Sequence, residues 1–242
     1  MNIEIVADYN ALSKKAAAIV LNKIAQKPEL VLALPTGNSP IGMYKELVQT
    51  QQTGGADLSR IWVFTLDEYA HLPAADPHSF AFFMQCHLID PLGIESRFDH
   101  IQGEAPDLPA ECKRYEEAIA AKGGLDLAVL GLGVNGHIAF NEPGTPFDSR
   151  TQLVDLTAST RHANADYFAG SFIIPRQGIT MGIGTILEAK EILVLASGKS
   201  KAQIVARIFA SNPSPGLPAS ALKEHPRVSW LLDRDAAADY NK

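Results

Sequence analysis

Apolar residues along this chain gather in short, nearly unbroken runs that stop at Gly, Pro or small polar residues. ELVLALPTG (29–37), RIWVFTLDEY (60–69), LDLAVLGLGVNG (125–136) and EILVLASGKSK (191–201) share this form. Runs without apolar/polar alternation suit strands buried on both faces, as in a parallel sheet. VSWLLD (228–233) predicts a further strand and IEIVAD (3–8) a weaker one. Helical patterns fall between the runs. Residues 10–26 set Leu12, Ala16, Val20 and Ile24 on one face. Residues 109–122 stop at Gly123-Gly124, and residues 199–210 form another amphipathic stretch. Strands alternating with helices imply right-handed crossovers and a three-layer α/β fold. There is no repeat and no linker. The Pro-rich segment 212–218 reads as a surface loop, so residues 1–242 are expected to form a single domain.

Composition narrows the function classes. At 242 residues, 46% hydrophobic and 20% charged, the chain is long enough for a sizeable core without disulfides. Cys86 and Cys112 have no metal-ligand spacing and are expected to be reduced packing groups; no metal or other cofactor is inferred. A net charge of −6 without a basic run argues against nucleic acid or an anionic membrane as partner. It leaves room for a small anionic substrate, for which a few local donors suffice. No apolar run approaches a membrane span and MNIEIVADYN lacks the features of a leader, so the cytoplasm is the expected location.

Ligands of open parallel sheets bind beyond the carboxyl ends of the strands. Thr36, Gly37, Asn38 and Ser39 follow one predicted strand, where free N–H groups at the start of a helix that Pro40 is expected to open suit a phosphate. An ordinary turn explains them equally well. Asp67 and Glu68 follow another. A carboxylate at the lip of a buried strand is desolvated and becomes a better base near neutrality, while the plainer alternative is a helix N-cap. GVNGHIAFNEPG brings Asn135, Gly136, His137 and Glu142 to a third exit. His137 is suited to proton transfer near pH 7, Glu142 to orienting the imidazole, and Asn135 to hydrogen bonding without titration. The alternative is a tight turn with a core histidine. At the fourth exit, Lys199 and Lys201 open a helix, where cations oppose the macrodipole unless they meet an anion.

LPTGNSPIGMY, TLDEY, LGLGVNGHIAFNEPG, TRHANADYF, ITMGIGTIL, SGKSKA and PASALKEH, in this order, resemble the glucosamine-6-phosphate deaminase (isomerase) family. The resemblance spans nearly the whole chain. It implies a Rossmann-like α/β sandwich, with a mostly parallel sheet and helices on both faces. The implied reaction takes glucosamine 6-phosphate and water to fructose 6-phosphate and ammonia, with an amino sugar phosphate as partner and the chain a monomer or homo-oligomer. Carried over by position, Asp67 is the base that moves the C2 proton to C1. His137, tuned by Glu142 and accompanied by Asn135, opens the sugar ring. Thr36, Gly37, Asn38, Ser39, Gly136 and Lys201 contact substrate. Galactosamine-6-phosphate deaminase, a 6-phosphogluconolactonase-like hydrolase and a non-catalytic sugar-phosphate sensor are the alternatives.

Two departures stand out. Asp166 occupies a position where many members of this family carry an arginine that holds the phosphate, which leaves the substrate open, with Arg161 a candidate substitute. Gln152 and Val154 stand where allosteric members carry basic residues. Steady-state kinetics on glucosamine 6-phosphate are therefore expected to be hyperbolic and insensitive to N-acetylglucosamine 6-phosphate. Sigmoidal kinetics relieved by that sugar would contradict this.

Overall fold

The computed structural model describes residues 1–157, 161 and 175–240. The chain runs β1 (Asn2–Val6), α1 (Tyr9–Gln26), β2 (Val31–Leu34), α2 (Asn38–Gln52), β3 (Trp62–Thr65) and β4 (Asp67–Tyr69). It continues through α3 (Phe80–Met84), a π-helical turn (Gln85–Ile89), α4 (Asp90–Leu92), β5 (Phe98–Asp99), α5 (Leu108–Ala121), β6 (Leu127–Gly131) and β7 (Gln152–Asp155). After β7 come β8 (Gln177–Thr180), α6 (Ile183–Leu187), β9 (Ile192–Ala196), a 3-10 turn (Lys199–Lys201), α7 (Ala202–Ala210) and β10 (Val228–Asp233).

Seven parallel strands form the main sheet in the order β1-β10-β9-β6-β2-β3-β5. The unalternating runs find their explanation in two cores, one on each face. In β2, Val31 and Ala33 enter one core while Leu32 and Leu34 enter the other. Ala128 and Leu130 of β6 face the first, Leu127 and Val129 the second. Both sides of each strand must therefore be apolar. Helix α1 buries Leu12, Ala16, Val20 and Ile24 as its periodicity predicts, and its start is capped by Asp8, which accepts the N–H of Ala11 at 2.8 Å. Helix α5 starts at an Asp107 cap and ends before Gly123 and Gly124, both in the left-handed region. No described helix is long and apolar enough to cross a membrane.

The structure corrects three details. The run 60–69 is not one strand: it leaves the main sheet at Leu66, and β4 pairs instead with β8 in a small antiparallel sheet of order β4-β8-β7. Helix α2 begins at Asn38, placing Pro40 inside its first turn, where a missing N–H leaves no gap. Of the two cysteines only Cys112 packs in the core; Cys86 is exposed.

Strand order reverses beside β2. From β2 the chain builds outward to β3 and β5, then returns to β6 on the other side and builds toward β9 and β10. A crevice opens at the carboxyl ends of β2 and β6, the usual ligand position in such sheets.

The small sheet is tied to α5 by Glu116. Its Oε1 accepts the Thr151 N–H at 2.8 Å and the Thr151 and Thr185 hydroxyls at 2.6 Å each, and its Oε2 meets Arg150 at 2.6 Å. Burial raises the affinity of Glu116 for its proton, but the bonds from Thr151, Thr185 and Arg150 outweigh it and hold the carboxyl below its ordinary pKa. A depressed carboxylate contributes stability above its unfolded pKa, and that contribution is lost as pH falls through the folded value. Glu116→Ala is expected to cost about 2–3 kcal/mol in urea unfolding at neutral pH, with the difference from wild type shrinking toward about pH 3. A pH-independent difference would contradict this role.

Candidate active site

The crevice is a cavity of about 580 Å³ whose polar residues come from all four strand exits: Thr36, Gly37, Asn38 and Ser39 after β2, Asp67 after β3, His137 after β6 and Lys201 after β9. Sequence reading expected these loops to share one edge of the sheet, and parallel strands put them there.

The first wall is the start of α2. Gly37 has φ +85°, a left-handed conformation that glycine adopts without strain. No side chain caps the helix, so its leading N–H groups stay open for an anion. The turn is braced from behind: the Tyr44 hydroxyl donates to the Pro35 carbonyl at 2.5 Å and the Tyr9 hydroxyl to that of Asn38 at 2.8 Å. Lys201 lines the same cavity, has no acidic partner among the described residues, and has its pKa lowered by burial.

The second wall separates two adjacent carboxylates. Glu68, 1% exposed, accepts the N–H groups of Tyr69 and Phe80 on Oε1 at 2.8 and 2.9 Å and that of Ala81 on Oε2 at 2.8 Å. It anchors the first N–H groups of α3 from a distance, while Ser79 is the N-cap of that helix, so neither carboxylate is the N-cap of a following helix. Asp67 lines the cavity and its carboxylate has no hydrogen-bond partner among the described residues. Burial, then the charge of Glu68, pushes Asp67 up to about 8. Burial also pushes Glu68 up to about 7, against the N–H donors of Phe80, Ala81 and Tyr69, which favour its anion.

The third wall is the β6 exit. A tight turn closes with Gly136 N–H donating to the Gly133 carbonyl and Gly133 N–H to that of His137, both at 3.0 Å. Gly133 is a close approach: a Cβ there would lie 2.5 Å from the imidazole. Ile138 and Phe140 pack the loop down, Phe140 against Tyr69 and Phe80, while Ala139, at φ +50°, turns the chain. Nδ1 of His137 stands 3.6 Å from Oε1 of Glu142, an ion-pair distance rather than a hydrogen bond. Asn135 makes the direct bonds, donating Nδ2–H to Glu142 Oε2 at 2.7 Å and accepting the His137 N–H at 3.1 Å. Burial lowers the pKa of His137, the Glu142 charge raises it and the Lys201 charge lowers it, for a net decrease. The net decrease favours the neutral ring, which is able to accept a proton.

Gly136, Asn135 and Glu142 do not line the cavity. Gly136, at φ +88°, faces Leu217 and Ile204, and the other two stand behind the imidazole. Sequence reading missed the apolar wall of Tyr69, Phe80, Phe83, Leu132 and Val134. Only the aromatic richness of residues 80–83 hints at it. Among the described residues no group of three or more His, Cys, Asp or Glu is placed to hold a metal ion.

A family model described as glucosamine-6-phosphate isomerases/6-phosphogluconolactonase matches residues 7–230. The chain belongs to this family. Two relatives named glucosamine-6-phosphate deaminase, from Shouchella clausii and Bacillus velezensis, are 45% and 48% identical to it, over 100% and 98% of this chain and 98% and 99% of their own. A solved structure described as a monomeric glucosamine-6-phosphate deaminase superposes with a TM-score of 0.95 at 44% identity, covering 99% of this chain and 100% of that one. The family therefore accounts for the fold and for the order of the motifs around the cavity. Of the two departures from the family pattern, Asp166 lies outside the described residues, and Arg161 is not among the residues lining the cavity. Gln152 and Val154 lie on β7.

Asp67 carries a stability signature. Its folded pKa is above the unfolded value, so the stability it contributes is fully present below the unfolded pKa of about 4 and is lost as pH rises through about 8. Asp67→Asn removes that loss. The variant is expected to melt about 2–8 °C above wild type near pH 9, on the basis of 1–2 kcal/mol, with a smaller difference near pH 5, by calorimetry. Parallel pH dependence in the two proteins would show that Asp67 is not a desolvated carboxylate.

Proposed function

We propose that the chain is a glucosamine-6-phosphate deaminase, converting glucosamine 6-phosphate and water to fructose 6-phosphate and ammonia. The observation that carries this is the meeting, in one cavity, of an open helix start, a cation and a buried carboxylate that have no ionic or hydrogen-bond partner among the described residues, and an imidazole whose pKa burial lowers. The full-length relatives bearing that name support the choice of reaction within a family whose description covers two.

In this reading the phosphate lies against the N–H groups of α2 and Lys201. His137 exchanges a proton between the ring oxygen and O1, opening the pyranose. Glu142 steadies the imidazolium electrostatically, held in place by Asn135. Asp67 then carries the C2 proton to C1, and water replaces the amine at C2. Asp67 must be ionised to begin, yet at about 8 it is mostly protonated at pH 7. An ammonium group entering beside it favours the anion, so the substrate itself readies the base. A solved relative 44% identical to this chain is described as monomeric, which supports a monomer here. We place the reaction in the cytoplasm, where phosphorylated sugars are retained.

Ammonia release from glucosamine 6-phosphate, galactosamine 6-phosphate and unphosphorylated glucosamine tests this reading. Wild type is expected to prefer the first, with kcat/KM rising toward about pH 8, whereas Asp67→Asn loses at least about 10³-fold in kcat with little change in substrate affinity. Ammonia from none of them, with hydrolysis of a sugar-phosphate lactone instead, would overturn the proposal.

A further inference from the structure

Asp233 ends β10 and is 4% exposed, yet no cation pairs with it among the described residues. Its carboxylate accepts the Ser197 hydroxyl on Oδ2 at 2.5 Å, the Gly198 N–H on both oxygens at 3.1 Å and the Ala236 N–H on Oδ1 at 2.7 Å. A carboxyl group this deeply buried has to have its oxygens satisfied by hydrogen bonds, and these four supply them. Parallel pairing between β10 and β9 reaches its last partners at Leu232 and Ala196, so the backbone ladder ends just before Ser197. There the Asp233 side chain takes over.

What it holds leads directly to the cavity. Gly198, with its N–H on Asp233, has φ +89°, and its carbonyl accepts the N–H of Lys201 at 3.0 Å. Two consecutive bonds, Asp233 to Gly198 and Gly198 to Lys201, thus run from a buried carboxylate to the backbone of the cavity's lysine. Fixing the backbone sets the origin and direction from which the flexible Lys201 side chain reaches into the cavity, and its four rotatable bonds set the rest.

We propose that Asp233 is a positioning residue for anion capture, fixing the turn after β9 so that Lys201 faces the open start of α2. This rests on the reading of that region as the phosphate site. The plain alternative is that Asp233 only caps the end of β10 through Ala236.

Calorimetric titration with inorganic phosphate distinguishes the two, using wild type, K201M, D233N and the double variant, alongside ammonia-release kinetics. Asn at 233 keeps one acceptor but turns an N–H₂ group toward backbone donors. K201M is expected to weaken phosphate binding about tenfold or more and D233N about three- to tenfold, as fits loss of a charge-assisted bond and of its alignment. The double variant should bind no more weakly than K201M, because Asp233 acts through Lys201. In D233N, KM should rise while kcat stays within about threefold. Unchanged phosphate affinity in D233N, or an additive loss in the double variant, overturns the inference and leaves the phosphate site standing. Unchanged affinity in K201M overturns the phosphate reading itself. Should D233N fail to fold, S197A removes a single bond: phosphate binding weakened about twofold or more supports the proposal, and unaltered binding overturns it.

Discussion

The site depends on the brevity of one strand pairing. β2 and β6 are in register only at Leu32 with Leu127 and Ala33 with Ala128, and beyond these the chains part. The break is where the topology reverses, so no strand fills the gap. Because both faces of the sheet are covered by apolar cores, polar chemistry has no place inside it and collects at the strand ends. The open start of α2, the His137 loop and Lys201 meet there as a consequence of parallel packing. Chain order contributes little: Thr36 and Lys201 line one cavity although most of the sequence separates them.

How two neighbouring carboxylates come to differ is the clearest case of environment deciding chemistry. Asp67 and Glu68 share a strand and a burial level, but strand alternation points them to opposite sides. Glu68 meets three N–H donors and becomes structural, binding β4 to α3 and so carrying Phe80 and Phe83 into the cavity wall. Asp67 meets none among the described residues and is pushed up to about 8, above Glu68 at about 7, whose N–H donors work against burial. The charge of Glu68 adds to the effect of burial on Asp67.

The parts of this arrangement that were legible in the sequence are those written locally. The amphipathic stripe of α1, the glycine stop of α5 and the unalternating strands each follow from nearby residues, and together they placed the four exits on one edge. Three features were not local. The break at Leu66 is set by β8, which pairs with Asp67 through Thr180 from far along the chain. Residues 80–84, FAFFM, are apolar all round, so the helix shows no stripe to betray it. The division of labour between Asp67 and Glu68 needs the α3 N–H groups, whose position no spacing rule reveals. The link from Asp233 to Ser197 and Gly198 was hidden for the same reason, joining the ends of two strands that become neighbours only after folding.

The β6 loop shows how little movement proton transfer would require. Asn135 holds Glu142 by a hydrogen bond, and Glu142 stands 3.6 Å from an imidazole nitrogen that has no hydrogen-bond partner of its own among the described residues. A neutral ring tolerates that gap, whereas a protonated ring would be drawn across it, since the charge of Glu142 already raises the proton affinity of His137 against burial and against Lys201. An amide at Asn135 cannot take the proton, so the charge would remain shared by the histidine and the glutamate. Gly133 completes the device by bringing bare backbone against the ring, where any Cβ would displace it. The ring is thus supported on one side by backbone and on another by a carboxylate at ion-pair distance.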